Sequence, residues 1–192
     1  MKTKCILLFV FFALPAVADP KCMLSTEGYD HVLNDTFEFN AESKYRPDRI
    51  KIYFEPAWKA ESAIQVDIDR GTRRMYVMTL RNPQRSIRAL IENGGCSVSH
   101  DSIHNNIPIS VREITSTQDK LTKLTADFYG LEFSAHRSAF FITDANTVLV
   151  SYVGAQTSIR VEFIPGAMKG GNWDKIEAWL QELTDIAGYR GW

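Results

Sequence analysis

Between residues 49 and 80 the chain alternates apolar and polar side chains with a period of two, and no other feature constrains the fold as strongly. Residues 49–55 place Ile50, Ile52 and Phe54 on one side and Lys51, Tyr53 and Glu55 on the other. Residues 63–69 set Ile64, Val66 and Ile68 against Gln65 and Asp67 in the same way. Successive side chains of a strand point to opposite faces, so both segments are expected as half-buried strands with their polar members outward. Asp69-Arg70-Gly71-Thr72 is a turn sequence, and residues 74–80 are expected to return as the partner strand of a hairpin.

The rest of the chain mixes the two periods. Asn82-Pro83 suits the start of a helix, with Ile87, Leu90 and Ile91 as its apolar stripe and Asn93-Gly94-Gly95 as its stop. Residues 107–114 read as a strand, and Pro108 marks an edge or a strand start. Ser116-Thr117-Gln118-Asp119 is a capping sequence for a helix carrying Leu121, Leu124 and Phe128 and ending at Gly130. Strands are expected over 138–143, 148–153 and 158–164. The clearest helix follows: Trp173, Ile176, Trp179, Leu180, Leu183 and Ile186 fall at helical spacing, with Asn172 as the expected cap and Gly188 as the stop. Residues 19–48 are indecisive, Val32-Leu33 and Phe37-Glu38-Phe39 suiting a short helix or a strand equally.

These elements predict an α+β domain: an antiparallel sheet of strand meanders with about three helices packed on it. Residues 49–93 and 137–187 share the order strand, strand, strand, Asn-capped helix. A duplicated βββα unit would account for that order and would give a pseudo-symmetric sheet with its helices on one face.

The N-terminus points to export. Lys2 and Lys4 precede an apolar run over residues 6–14, and Ala16-Val17-Ala18 supplies small residues at a cleavage site, the three parts of a secretory signal peptide. Cleavage after Ala18 leaves one expected domain, residues 19–192, in the periplasm or secreted; the short signal fits a bacterial periplasm. No later run reaches the ~18 apolar residues of a membrane-spanning helix. Cleavage removes two lysines and no acid, leaving 20 basic against 23 acidic residues and a net charge of −3. That balance argues against a nucleic-acid binder. Cys5 leaves with the signal, and Cys22 and Cys96 remain, an even pair expected to form a disulfide in an oxidising compartment.

Three features could carry chemistry. The run over residues 94–106 holds Cys96, His100, Asp101 and His104. The residue types allow a small hydrolase centred on residues 96–104, or a metal-binding envelope protein. Ser, Asn and Gly weaken the helix that would align His100 with His104, and a structural zinc site wants four ligands. Sequence neighbours do not make a catalytic triad, and no nucleophile-elbow motif is present. No metal or other cofactor is expected. The second feature is basic: Arg70, Arg73, Arg74, Arg81, Arg85 and Arg88 crowd into 19 residues of a chain that is net acidic once processed. Arg81, Arg85 and Arg88 would line one face of the helix expected from Asn82, and arginine suits bidentate contact with carboxylate, phosphate or sulfate. The third is Trp58, in a loop between two strands, with Tyr189 and Trp192 on a tail beyond the last helix. Exposed tryptophan is a frequent interface anchor.

The leading expectation is a non-enzymatic exported protein that docks a protein or an anionic envelope component, in the manner of an inhibitor or immunity-type protein. Its contact residues would be Arg73, Arg81, Arg85, Arg88 and Trp58.

Overall fold

The computed structural model describes residues 26–39, 47–56, 59–84, 86–94, 107–132, 146–154, 157–167 and 169–190. The elements are α1 (Thr26–Thr36), β1 (Asp48–Glu55), β2 (Ser62–Asp69), β3 (Thr72–Leu80), α2 (Ile87–Gly94), β4 (Ile109–Ile114), α3 (Gln118–Tyr129), β5 (Thr147–Val153), β6 (Ser158–Phe163) and α4 (Asn172–Ala187). The strands form one antiparallel sheet in the order β4-β3-β2-β1-β5-β6. The α+β architecture expected from the period-two pattern is the one found, with four helices among the described residues. The strand expected over 138–143 and the Cys22–Cys96 pair lie outside the described residues.

The β2–β3 hairpin forms where the turn sequence placed it. Asp69 pairs with Thr72, so Arg70 and Gly71 are the two loop residues, at φ 40° and 92°. Left-handed backbone at both positions matches the right-handed twist of the strands.

The helices occupy both faces of the sheet rather than one. Ile50, Ile52, Phe54, Ile64, Val66, Met75, Val77, Val148 and Val150 pack against Leu121, Leu124 and Phe128 of α3 and Ile176, Trp179, Leu180 and Leu183 of α4. On the opposite face Tyr53, Ala63, Met78, Leu80 and Leu149 pack against Tyr29, Val32, Leu33 and Phe37, from α1 and the residue after it, and Ile87 and Ile91 of α2. Each fully buried aliphatic or aromatic side chain contributes about 1.5–3 kcal/mol relative to exposure. Two such layers bury residues on both faces of the four interior strands β3, β2, β1 and β5.

That arrangement overturns the half-buried reading of β1 and β2. Lys51, Gln65 and Asp67, expected outward, are 7 %, 0 % and 5 % exposed. Their donors bond the chain covering them and one another. The Lys51 ammonium donates to the Phe37 carbonyl at 3.0 Å, and the Gln65 amide donates to the Phe39 carbonyl at 3.0 Å and to Asp67 Oδ1 at 2.9 Å. Arg49 Nε donates to the same Oδ1 at 3.0 Å. These bonds fasten the segment leaving α1 onto the sheet, while Gln65 Oε1 and Asp67 Oδ2 are buried without a hydrogen-bond partner among the described residues.

The ends of α4 differ in how closely they follow expectation. Gly188 follows the helix in the left-handed conformation at φ 61°, and the amides of Gly188 and Tyr189 bond the carbonyls of Asp185 and Thr184. This is the Schellman closure that glycine permits. At the other end Asn172 is the first helical residue and not the cap. Gly171 precedes it at φ 62°, and Asp174 Oδ1 accepts from the Gly170 amide at 2.9 Å.

Candidate functional site

The arginine cluster does not form one patch. Arg73 lies near the start of β3 and Arg81 just past its end, eight residues and roughly 26 Å apart along an extended strand. Exposed charges that far apart are screened from one another at physiological salt, where the Debye length is about 8 Å. Arg73 is also committed to the fold. Its Nε donates to Thr125 Oγ1 of α3 at 3.2 Å, one terminal nitrogen donates to the Gly71 carbonyl at 2.8 Å, and its amide donates to Gln118 Oε1 at 3.0 Å.

Nor do Arg81, Arg85 and Arg88 share a helical face, because α2 begins at Ile87 and not at Asn82. Asn82 Oδ1 accepts from the Gln84 amide at 3.1 Å, closing a local turn. Ser86 is the residue that caps α2: its Oγ accepts from the Ala89 amide at 2.9 Å while its carbonyl accepts from Leu90 at 3.1 Å. Asn82 satisfies the sequence rule for a cap, but its hydrogen bond is used in the turn ahead of the helix. Arg81 stands before that turn, exposed, with its Nε on the Ile109 carbonyl at 3.2 Å and its amide on the Pro108 carbonyl at 3.0 Å. The Arg85 and Trp58 side chains lie outside the described residues, as do His100, Asp101 and His104.

Arg88 is the arginine for which the fold builds a seat. Its guanidinium lies over the Tyr29 ring, 5.0 Å from the centroid, and one terminal nitrogen is 3.7 Å from a Glu55 carboxylate oxygen. The Arg88 side chain is 60 % exposed, whereas that of Glu55 is 11 % exposed. The ring beneath it is fixed in turn. The Tyr29 hydroxyl donates to Glu61 Oε1 at 3.0 Å. Glu61, buried just before β2, also accepts the Ile87 amide at 2.7 Å and the Arg88 amide at 3.1 Å. A carboxylate against the first free amides of a helix satisfies donors that have no partner within the helix and complements its dipole. One buried acid thus joins α1, α2 and the start of β2, and sets the position of the Arg88 backbone and of the ring on which its side chain rests.

Further charges lie along the same face. Arg160 of β6 meets Asp30 of α1 at 2.5 Å. Burial pushes the Glu55 carboxyl up to about 7; Glu162, Asp30 and Glu61 add to the shift, and Arg88 opposes it. Burial, reinforced by Glu55 and Glu61, drives the Tyr29 hydroxyl far above its ordinary value, so it remains a neutral donor to Glu61. Burial also lowers the Lys51 ammonium to about 8, with Arg49 adding to the shift.

Sequence reasoning named Arg88 but missed Tyr29, Glu55 and Glu61. The aromatic residues expected on the C-terminal tail divide. Tyr189 packs on Phe54 at 4.8 Å between ring centroids and shares a short hydroxyl–hydroxyl hydrogen bond with Ser62, so it belongs to the fold. Trp192 lies outside the described residues. Among the described residues, no group of three His, Cys, Asp or Glu side chains is arranged to hold a metal ion, and no helix is long and apolar enough to cross a membrane. No family model and no curated protein matches the chain.

Proposed function

We propose that this is an exported protein that docks an acidic protein partner through the end of the sheet where Arg81 and Arg88 emerge. The observation that carries the reading is the seat of Arg88: an exposed guanidinium held on the Tyr29 ring at 5.0 Å, above a buried Glu61 that orders the elements beneath it. Ordering a long side chain on binding costs about 0.5–1.5 kcal/mol, and an arginine already held avoids part of that cost. Stacked arginines of this kind recur as interface anchors. Arg81, whose guanidinium also contacts a backbone carbonyl, supplies further positive charge, and Arg85 lies between the two in sequence. The N-terminal signal pattern supports export, and a role as inhibitor or immunity-type protein fits a docking surface without chemistry of its own.

The test is capture. Immobilised mature protein is exposed to an extract of the producing cell's envelope and compared with a variant carrying Arg81→Glu, Arg85→Glu and Arg88→Glu. The reading expects a protein retained by the parent and lost by the variant, with near-ultraviolet circular dichroism unchanged. Equal capture by the two removes this surface from the account. Retention of lipid or polysaccharide in place of protein assigns the surface to an anionic envelope component.

A further inference from the structure

We infer that Glu55 is a proton-operated catch on Arg88: ionised, it retains the guanidinium at the end of the sheet; protonated, it releases Arg88 to an acidic partner. The inference rests on the docking reading for its consequence, though the catch itself can be observed without any partner.

The geometry supports a catch and not a permanent ion pair. The Arg88–Glu55 approach is 3.7 Å, outside hydrogen-bonding distance, while the guanidinium's other support, the Tyr29 ring, is uncharged. Losing the charge on Glu55 therefore removes the one carboxylate that is ion-paired with the Arg88 guanidinium among the described residues, and leaves the stacking in place. The asymmetry of exposure has the same sense: the exposed Arg88 guanidinium can meet a partner's carboxylate while it stays on the ring, and the mostly buried Glu55 cannot follow it.

The surroundings of Glu55 explain why its proton is exchanged near neutrality. Among the described residues, α1 presents Tyr29 and Asp30, the approach to β2 presents Glu61, β6 presents Glu162, and α2 presents Arg88. Arg160 of β6 is taken up by Asp30. Three carboxylates thus face Glu55 against one guanidinium, in a site where burial already disfavours charge. Burial and these neighbours push the carboxyl up to about 7.

Two measurements on the mature protein test the inference together. The first follows the Glu55 carboxyl carbon and the Arg88 Nε–H group by NMR from pH 5 to pH 9. Both should titrate with one midpoint near 7, and Glu55→Gln should hold Arg88 in its low-pH state throughout. An Arg88 signal that ignores the Glu55 titration overturns the catch. The second measures binding of a fluorescein-labelled octa-aspartate peptide by anisotropy at pH 5.5 and 8. Aspartate stays ionised over that range, and Glu55→Gln retains every histidine, including His31, which lies 3.3 Å from Asp35 on α1. The parent should bind about fivefold or more tightly at pH 5.5 than at pH 8. Glu55→Gln should bind at both pH values as the parent does at 5.5. If the parent binds equally at both values, or if the variant keeps the parent's pH dependence, the catch does not govern docking. If the peptide binds at neither value while Arg88 follows Glu55 by NMR, the docking reading fails and the catch stands.

Discussion

Glu55 occupies a position where burial and neighbouring acids both work against its charge, and its effect on stability has a definite sign. Its carboxyl rises from an ordinary 4.5 to about 7 in the folded protein, so the native state holds the proton more tightly than the unfolded chain. The stabilisation is fully present below about pH 4.5 and is lost as pH rises through 7. A shift of this size corresponds to roughly 3 kcal/mol. Urea unfolding at pH 5, 6, 7 and 8 should show the parent losing stability across this window relative to Glu55→Gln, which lacks the proton. A parallel pH dependence in the two proteins would show that Glu55 is not buried among like charges as described. Arg88 and Glu55 were each legible in the sequence as charged residues, but their pairing was not. Glu55 closes one strand, Arg88 lies in the first turn of a helix 33 positions later, and only the folded sheet end brings them together.

Among the elements, α2 shows where local rules stop. Its stripe of Ile87, Leu90 and Ile91 was legible, and Ile87 and Ile91 are buried. Its start was not, because Asn82 and Ser86 both suit a cap and the choice depends on which side chain reaches the first free amides. Ser86→Ala should cost about 1 kcal/mol and Asn82→Ala less, read by chemical denaturation. Glu61 is the non-local part of the same cap. Glu61→Ala strands the Ile87 and Arg88 amides and the Tyr29 hydroxyl and should cost on the order of 3 kcal/mol, the larger effect of the two cap positions. Equal losses at Ser86 and Asn82 would return the helix start to Asn82. The helix α1 was illegible for a different reason. Its buried positions Tyr29, Val32, Leu33 and Thr36 follow a helical period, but the stripe is short and crossed by Asn34 and Asp35. Packing against the sheet, more than intrinsic propensity, holds such a helix.

For the whole molecule, the period-two pattern revealed the sheet but not its burial on two sides. Polar residues at alternate positions usually mark the solvent face, and here Lys51, Gln65 and Asp67 are covered by α1 and the residues after it. Their partners include the carbonyls of Phe37 and Phe39, and backbone acceptors leave no trace in a residue pattern. A sheet interior on both faces should unfold as one unit. Leu33→Ala on one face and Leu180→Ala on the other should each cost about 2–5 kcal/mol. Circular dichroism and tryptophan fluorescence should still report a single coincident transition in each variant. Separate transitions would divide the molecule into independently stable layers.

The central claim is that one end of this sheet, and not the arginine-rich segment as a whole, recognises acidic partners. It is tested most directly by octa-aspartate affinity at pH 5.5 for the parent, Arg88→Gln and Arg74→Gln, the last being an exposed arginine at the far end of β3. The account predicts that Arg88→Gln weakens binding about tenfold, or roughly 1.4 kcal/mol, while Arg74→Gln binds as the parent does. Equal weakening by both substitutions, or by neither, would contradict it.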